Sequence, residues 1–197
     1  MSFLNYSTKE INFKIVYYGP GLSGKTVNLQ SIYSKTKSTN KGKLVTLATK
    51  ADRTLFFDFF PLNLGKVKDY VVKFHLYTVS GQIYYSSTRR LVMKGVDAVV
   101  FVADSQKDRF DANVEMIYDM QSHLDHYNID FNKMPYVLQL NKRDLTDIVP
   151  VKLMVRHLRK KEEPVIEASA IKGYGVIETL KSVSKLIMTG MREKLKD

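Results

Sequence analysis

The chain has 197 residues, 44% of them hydrophobic and 26% charged, which suits one well-buried globular domain over 1–197 and leaves too little for two. No run approaches ~18 consecutive apolar residues, so no membrane-spanning helix is expected. Cysteine is absent, so disulfides, thiol chemistry, prenylation and palmitoylation are excluded, and a reducing cytoplasm suits the composition. The outlier is a formal net charge of +11. Its clusters "KTKSTNKGK" (35–43) and "RHLRKKE" (156–162) predict a solvated basic face, or one that meets an acidic partner protein or anionic lipid. No recognisable nucleic-acid module accompanies them, so no nucleic-acid partner is predicted.

In chain order, "MSFLNYSTKEINFK" lacks a basic region followed by an apolar core and predicts no secretory signal. The Met-Ser start predicts no N-myristoylation either, so any lipid contact is expected to be weak, electrostatic and without an anchor. "INFKIVYY" (11–18) reads as a strand, followed by a glycine-rich turn and a helix. Residues 37–52 are polar and aperiodic, which predicts a long loop or mobile segment. "TLFFDFF" (54–60), "VVKFHLYTV" (71–79), "DAVVFVAD" (97–104), "YVLQLN" (136–141) and "PVIEAS" (164–169) read as further strands. The unbroken apolarity of "DAVVFV" and "YVLQL" predicts burial on both faces, as in a parallel sheet. Within 105–127, Phe110, Val114, Ile117, Met120, Leu124 and Tyr127 form one helical stripe, and Val176, Leu180, Val183 and Ile187 form another. Strand alternating with helix predicts an α/β fold, a mostly parallel sheet with helices on both faces.

Gly19-Pro20-Gly21-Leu22-Ser23-Gly24-Lys25-Thr26 fits G-x-x-x-x-G-K-[ST] between a strand and a helix, with Val27 next, and predicts a phosphate-binding loop. Glycines let backbone N–H groups converge on phosphate, and the helix N-terminus adds positive potential. Lys25 is placed to reach terminal phosphates and the Thr26 hydroxyl to ligate Mg²⁺. Asn141-Lys142-Arg143-Asp144 ends a later strand. A carboxylate at 144 accepts two hydrogen bonds from guanine N1–H and its 2-amino group, which adenine cannot offer. Asn141 would orient the loop, the Lys142 stem would pack along the ring, and the Ala170 N–H, after Ser169, would meet guanine O6.

Phosphate loop, NKRD and "ASA" (168–170) together resemble the small Ras-like GTPases. The runs "INFKIVYYGPGLSGKT", "DRTLFFDFFPL", "FHLYTVSGQ", "KGVDAVVFVADSQ" and "PYVLQLNKRDL" resemble the bacterial branch that sets cell polarity and controls motility. The resemblance implies a P-loop NTPase fold, GTP and GDP as ligands, Mg²⁺ held by Thr26 and Thr54, and catalysis by Arg53 and Gln82. Arg53 would be a built-in arginine on the transferring phosphate, Gln82 would position water, and Gly81 would donate its N–H to the γ-phosphate. It further implies a dimeric roadblock-type activator, polarity effector proteins as partners, location at a cell pole, and segments 37–57 and 78–90 that differ between nucleotide states. Two departures stand out. Thr78-Val79-Ser80-Gly81 replaces the usual D-x-x-G, although threonine there matches the bacterial branch, and Asp58 is the candidate to restore the lost outer-shell carboxylate. Ser80 stands where the family usually has proline, freeing the backbone of the second switch. A GTP-locked interaction module with negligible hydrolysis is the alternative.

Overall fold

The computed structural model of the protein describes residues 3–47 and 57–194. Its strands are β1 (Phe3–Asn5), β2 (Glu10–Tyr18), β3 (Val45–Leu47), β4 (Phe57–Val67), β5 (Tyr70–Thr78), β6 (Ala98–Asp104), β7 (Tyr136–Asn141) and β8 (Val165–Glu167). Its helices are α1 (Lys25–Lys35), α2 (Ser86–Met93), α3 (Phe110–His126), α4 (Val151–Leu158) and α5 (Val176–Lys194). One sheet runs β3-β4-β5-β2-β6-β7-β8. From β5 to β8 every neighbouring pair is parallel, whereas β3, β4 and β5 pair antiparallel. β1 folds back antiparallel on Glu10–Asn12, using the part of that edge of β2 which β6 leaves open.

Why the two strands with unbroken apolar runs lie inside the sheet, between β2 and the edge strand β8, is evident from their burial. All residues of β6 and β7 are buried, because helices cover both faces. The pleat then sorts successive side chains. Ile15, Tyr17, Val100, Val102 and Val137 pack under α1 and α5, against Leu29, Ile32, Val176, Leu180, Val183 and Ile187. Val16, Tyr18, Val99, Phe101, Tyr136, Leu138 and Leu140 pack under α2, α3 and α4. In α3, Ile117, Met120 and Leu124 are fully buried, while Phe110, Val114 and, just past its end, Tyr127 border the same core. Truncating any of the three central ones to alanine costs ~2–5 kcal/mol.

Three local expectations change. The helix expected over 105–127 begins only at Phe110, after a 3₁₀ turn over Lys107–Arg109. The strand expected over 54–60 runs on to Val67, and its residues 54–56 lie outside the described residues. Pro61 sits inside β4 opposite His75 and gives its carbonyl to the Gly42 N–H, a position where the missing proline N–H is tolerated. The segment expected as a loop over 37–52 contains a 3₁₀ turn at Ser38–Asn40 and β3. β3 exists because Val45–Leu47 pairs with Phe57–Phe59, a tertiary contact that no local periodicity announces.

Candidate functional site

The parallel strands β5, β2, β6 and β7 end on one edge of the sheet, which is where ligands bind in open α/β folds. Thr78, Gly19, Asp104 and Asn141 stand at or just after these ends. A cavity of about 500 Å³ is lined by Gly21, Lys25, Thr26, Thr46, Asp58 and Thr78, among others. A second, of about 290 Å³, is lined by Asn141, Lys142, Asp144, Leu145, Ala170 and Ile171 with Leu22, Gly24 and Val27. Leu22, Gly24 and Val27 border both, so the two are halves of one elongated site. A larger cavity, about 840 Å³, lies against Phe13, Met134 and Ile187, and none of the motifs lines it.

The phosphate loop turns from β2 into α1 through Gly24, whose φ is +95°. A Cβ there would lie 2.3 Å from Asn141 Nδ2, so both the backbone angle and the close approach demand glycine. Lys25 is buried and donates to the carbonyls of Gly19 at 2.8 Å and Pro20 at 2.6 Å. Burial above all, then the charge of Arg89, pushes its ammonium down to about 7 against the pull of Asp58 and Asp104. Asn28 caps the turn, its amide donating to the Gly24 carbonyl and its oxygen accepting from buried Gln139 at 3.0 Å. Gln139 also donates to Thr179 of α5, so β7, α1 and α5 meet below the loop in a string of polar side chains, in which the buried Gln139 Oε1 has no hydrogen-bond partner among the described residues.

Beside the loop, Asp58 is buried and gathers three threonine hydroxyls. Its Oδ2 accepts from Thr26 at 2.6 Å and Thr78 at 3.0 Å, its Oδ1 accepts from Thr46 at 2.8 Å, and its N–H donates to Thr78. Asp58 and Thr78 are thus brought to Thr26, the expected metal ligand. Among the described residues no group of three His, Cys, Asp or Glu is arranged to hold a metal. A hydroxyl backed by one carboxylate is instead the donor set that Mg²⁺ accepts when phosphates and water complete its octahedron. Arg53 and Thr54 lie outside the described residues.

In the segment expected to be the second switch, Gly81 presses on the loop, its carbonyl accepting the Gly21 N–H at 3.0 Å. A Cβ on Gly81 would lie 2.1 Å from that nitrogen. Gln82 follows with its side chain exposed. On the other side of Gly21, Arg109 of the 3₁₀ turn donates to its carbonyl at 3.1 Å.

In the base half, Asn141 is the tie. Its amide donates to the Ser23 carbonyl at 2.7 Å and its oxygen accepts the Ala170 N–H at 2.9 Å. The Ala170 N–H expected to face a base oxygen therefore already has Asn141 as its partner. Lys142, at φ +65°, pairs with fully buried Asp104 at 2.6 Å and also donates to Gln106. Asp144 is held below the ordinary carboxylate range chiefly by a hydrogen bond from Ser169, aided by Lys172 and Lys142, so it is a ready acceptor. Sequence reading singled out neither Thr46 nor Asp104, and no local motif marks either one. The expected residues 19–27, Asn141, Lys142, Asp144, Ser169 and Ala170 line this site or brace it.

A sequence model of the ADP-ribosylation factor family matches residues 2–187. The Mutual gliding-motility protein MglA of Myxococcus xanthus (strain DK1622) is 53% identical over 193 residues, covering 98% of this chain and 99% of that protein. Both findings agree with the resemblance drawn from the motifs.

Proposed function

Because the chain belongs to the ADP-ribosylation factor family of small Ras-like GTPases, we propose that it binds GTP with Mg²⁺, hydrolyses it slowly, and works as a switch in cell polarity and motility. The single observation that carries the reading is the joined site. A buried lysine and the Asp58 hydroxyl cluster line its phosphate half, and Asp144, its carboxyl held low by Ser169, stands in its base half. GTP would lie along it with guanine at Asn141, Lys142, Asp144, Ser169 and Ala170 and phosphates over residues 19–27.

Mg²⁺ would be held by Thr26 and Thr54, with Asp58 and Thr78 in its outer shell, and would neutralise charge on the β- and γ-oxygens. The chain's own groups do the rest. Lys25 meets the phosphates as an ammonium, Gly81 supplies an N–H, Gln82 orients the attacking water, and Arg53 adds positive charge where it develops in the transition state. A roadblock-type activator resembling MglB would order Arg53 and Gln82. Polarity effectors would read segments 37–57 and 78–90, and they would bring this cytoplasmic protein to a cell pole. The basic faces would add weak contact with anionic membrane at most.

A GTP-locked module is the second reading, and Thr78 in place of the usual aspartate favours it. Asp58 speaks for turnover instead, since it puts a carboxylate on the hydroxyls of both Thr26 and Thr78. Single-turnover GTP hydrolysis with and without an activator decides between them. Arg53→Ala and Gln82→Leu should leave GTP affinity within a few-fold and abolish activated turnover, whereas Lys25→Ala should lose binding. A wild-type rate no faster than that of Arg53→Ala, with activator present, establishes the locked module.

A further inference from the structure

Arg89 lies on α2 and is only 2% exposed, a burial that arginine tolerates when every donor finds an acceptor. Its Nε donates to Asp119 Oδ2 of α3 at 2.7 Å. Its Nη1 reaches back to the second switch and donates to the carbonyls of Gln82 at 2.5 Å and Ser80 at 3.2 Å. Asp119 is itself fixed from two more directions, accepting the Tyr18 hydroxyl and, at 3.1 Å, Ser86 Oγ. His123 Nε2 stands 3.5 Å from the same carboxylate. Burial opposes the charge on Asp119, yet the hydrogen bonds from Arg89 and Tyr18 outweigh it and hold its carboxyl below the ordinary value. Tyr18 is the last residue of β2, next to Gly19 where the phosphate loop begins. One ion pair therefore joins the root of the phosphate loop, the middle of α3 and the second switch.

Three consecutive carbonyls are held as a result. Those of Ser80 and Gln82 go to Arg89, and that of Gly81 between them goes to the Gly21 N–H. With the flanking peptides pinned, the direction of the Gln82 side chain and of the Gly81 N–H is set from α2 and α3. This bracing lies where serine replaces the family's usual proline, so a guanidinium supplies from outside the order that a proline ring would supply from within.

We propose that Arg89, fixed by Asp119 and Tyr18, is a positioning residue that sets the second switch for hydrolysis. The role rests on the reading of Gln82 and Gly81 given above. Arg89 makes no hydrogen bond to the base half or to residues 22–27 and reaches Lys25 through its charge alone, so its loss should move nucleotide affinity far less than switch order and turnover.

The test compares wild type, Arg89→Ala and Arg89→Lys by amide hydrogen exchange, GDP affinity and single-turnover GTP hydrolysis. In Arg89→Ala, exchange at 81–85 should rise about tenfold or more while β6 and β7 stay protected. GDP affinity should remain within about threefold and turnover should fall about tenfold or more. Arg89→Lys keeps the charge without the fork, so it should fall between the two in both exchange and rate. If Arg89→Ala does not fold, Asp119→Asn, which keeps the shape and removes the charge, should show the same pattern at about threefold.

Unchanged exchange at 81–85 overturns the proposal, as does unchanged turnover in a variant whose second switch has loosened. A rise spread equally over β6 and β7 with loss of GDP affinity also overturns it, because a merely structural arginine gives that result. A wild-type protein without turnover refutes the switch reading itself, and the exchange and GDP data then still decide whether Arg89 holds the segment.

Discussion

Binding of GDP is expected to take up a proton above neutral pH, and Lys25 is the group that takes it. Its nitrogen is buried, and the carbonyls of Gly19 and Pro20 accept from it, bonds that a neutral amine makes as well as an ammonium. Burial first, and the charge of Arg89 second, brings it down to about 7. A diphosphate delivers several negative charges to the same nitrogen and restores the ammonium. With a value near 7, about 0.9 proton per GDP should be taken up at pH 8 and about 0.5 at pH 7. GDP affinity should fall toward tenfold per pH unit above neutrality, ~1.4 kcal/mol.

The sign for stability follows from the same shift. The folded lysine titrates near 7 and the unfolded one near 10.5, so between those values the unfolded chain binds more protons and the nucleotide-free fold gains stability as pH rises. The penalty is in full force below about 7 and gone above about 10.5, and ~2 kcal/mol of it is relieved between pH 7 and pH 9. Calorimetric titration with GDP at pH 7 and pH 8, in two buffers of different ionisation heat, reads the uptake directly. No uptake at pH 8, or less at pH 8 than at pH 7, refutes the reasoning that burial holds this lysine neutral.

Asp144→Asn should weaken GTP binding by more than tenfold and shift preference toward XTP, since the amide presents a donor where the carboxylate accepted; competition binding checks it, and unaltered GTP affinity speaks against the base assignment. Asp58→Ala strips the acceptor from three hydroxyls and should lower stability by ~2–4 kcal/mol, with a larger loss of GTP affinity in Mg²⁺ than in chelator. Equal losses with and without Mg²⁺ would remove Asp58 from the metal's surroundings. Gly81→Ala would put a carbon 2.1 Å from the Gly21 nitrogen, which is backbone and cannot yield. The second switch should then be driven off the loop, with GDP affinity nearly kept and turnover lost, and a rate equal to wild type would show that this contact plays no part.

The amino-acid sequence by itself determined the phosphate loop, because eight consecutive residues carry both its backbone freedom and its lysine and threonine. It also marked the loop expected to meet guanine, and the two inner strands β6 and β7 whose burial on both faces leaves no polar alternation to hide. The stripes of α3 and α5 were equally legible, since a helix buries one face and repeats its apolar residues accordingly. Which side chains meet at the site was a matter for the tertiary structure. Asp58 reads as one acidic residue in an apolar run, and it faces Thr46 because β3 pairs with β4 in the register that sets Thr46 opposite Asp58. Thr78 comes to it because β4 and β5 form an antiparallel pair, and Thr26 because α1 starts beside them. Arg89 and Asp119 stand on different helices, and Asp104 and Lys142 at the ends of neighbouring strands. Helix and strand periods are local and leave their mark in the order of residues, whereas a buried ion pair forms only where packing has already excluded the water that would screen it.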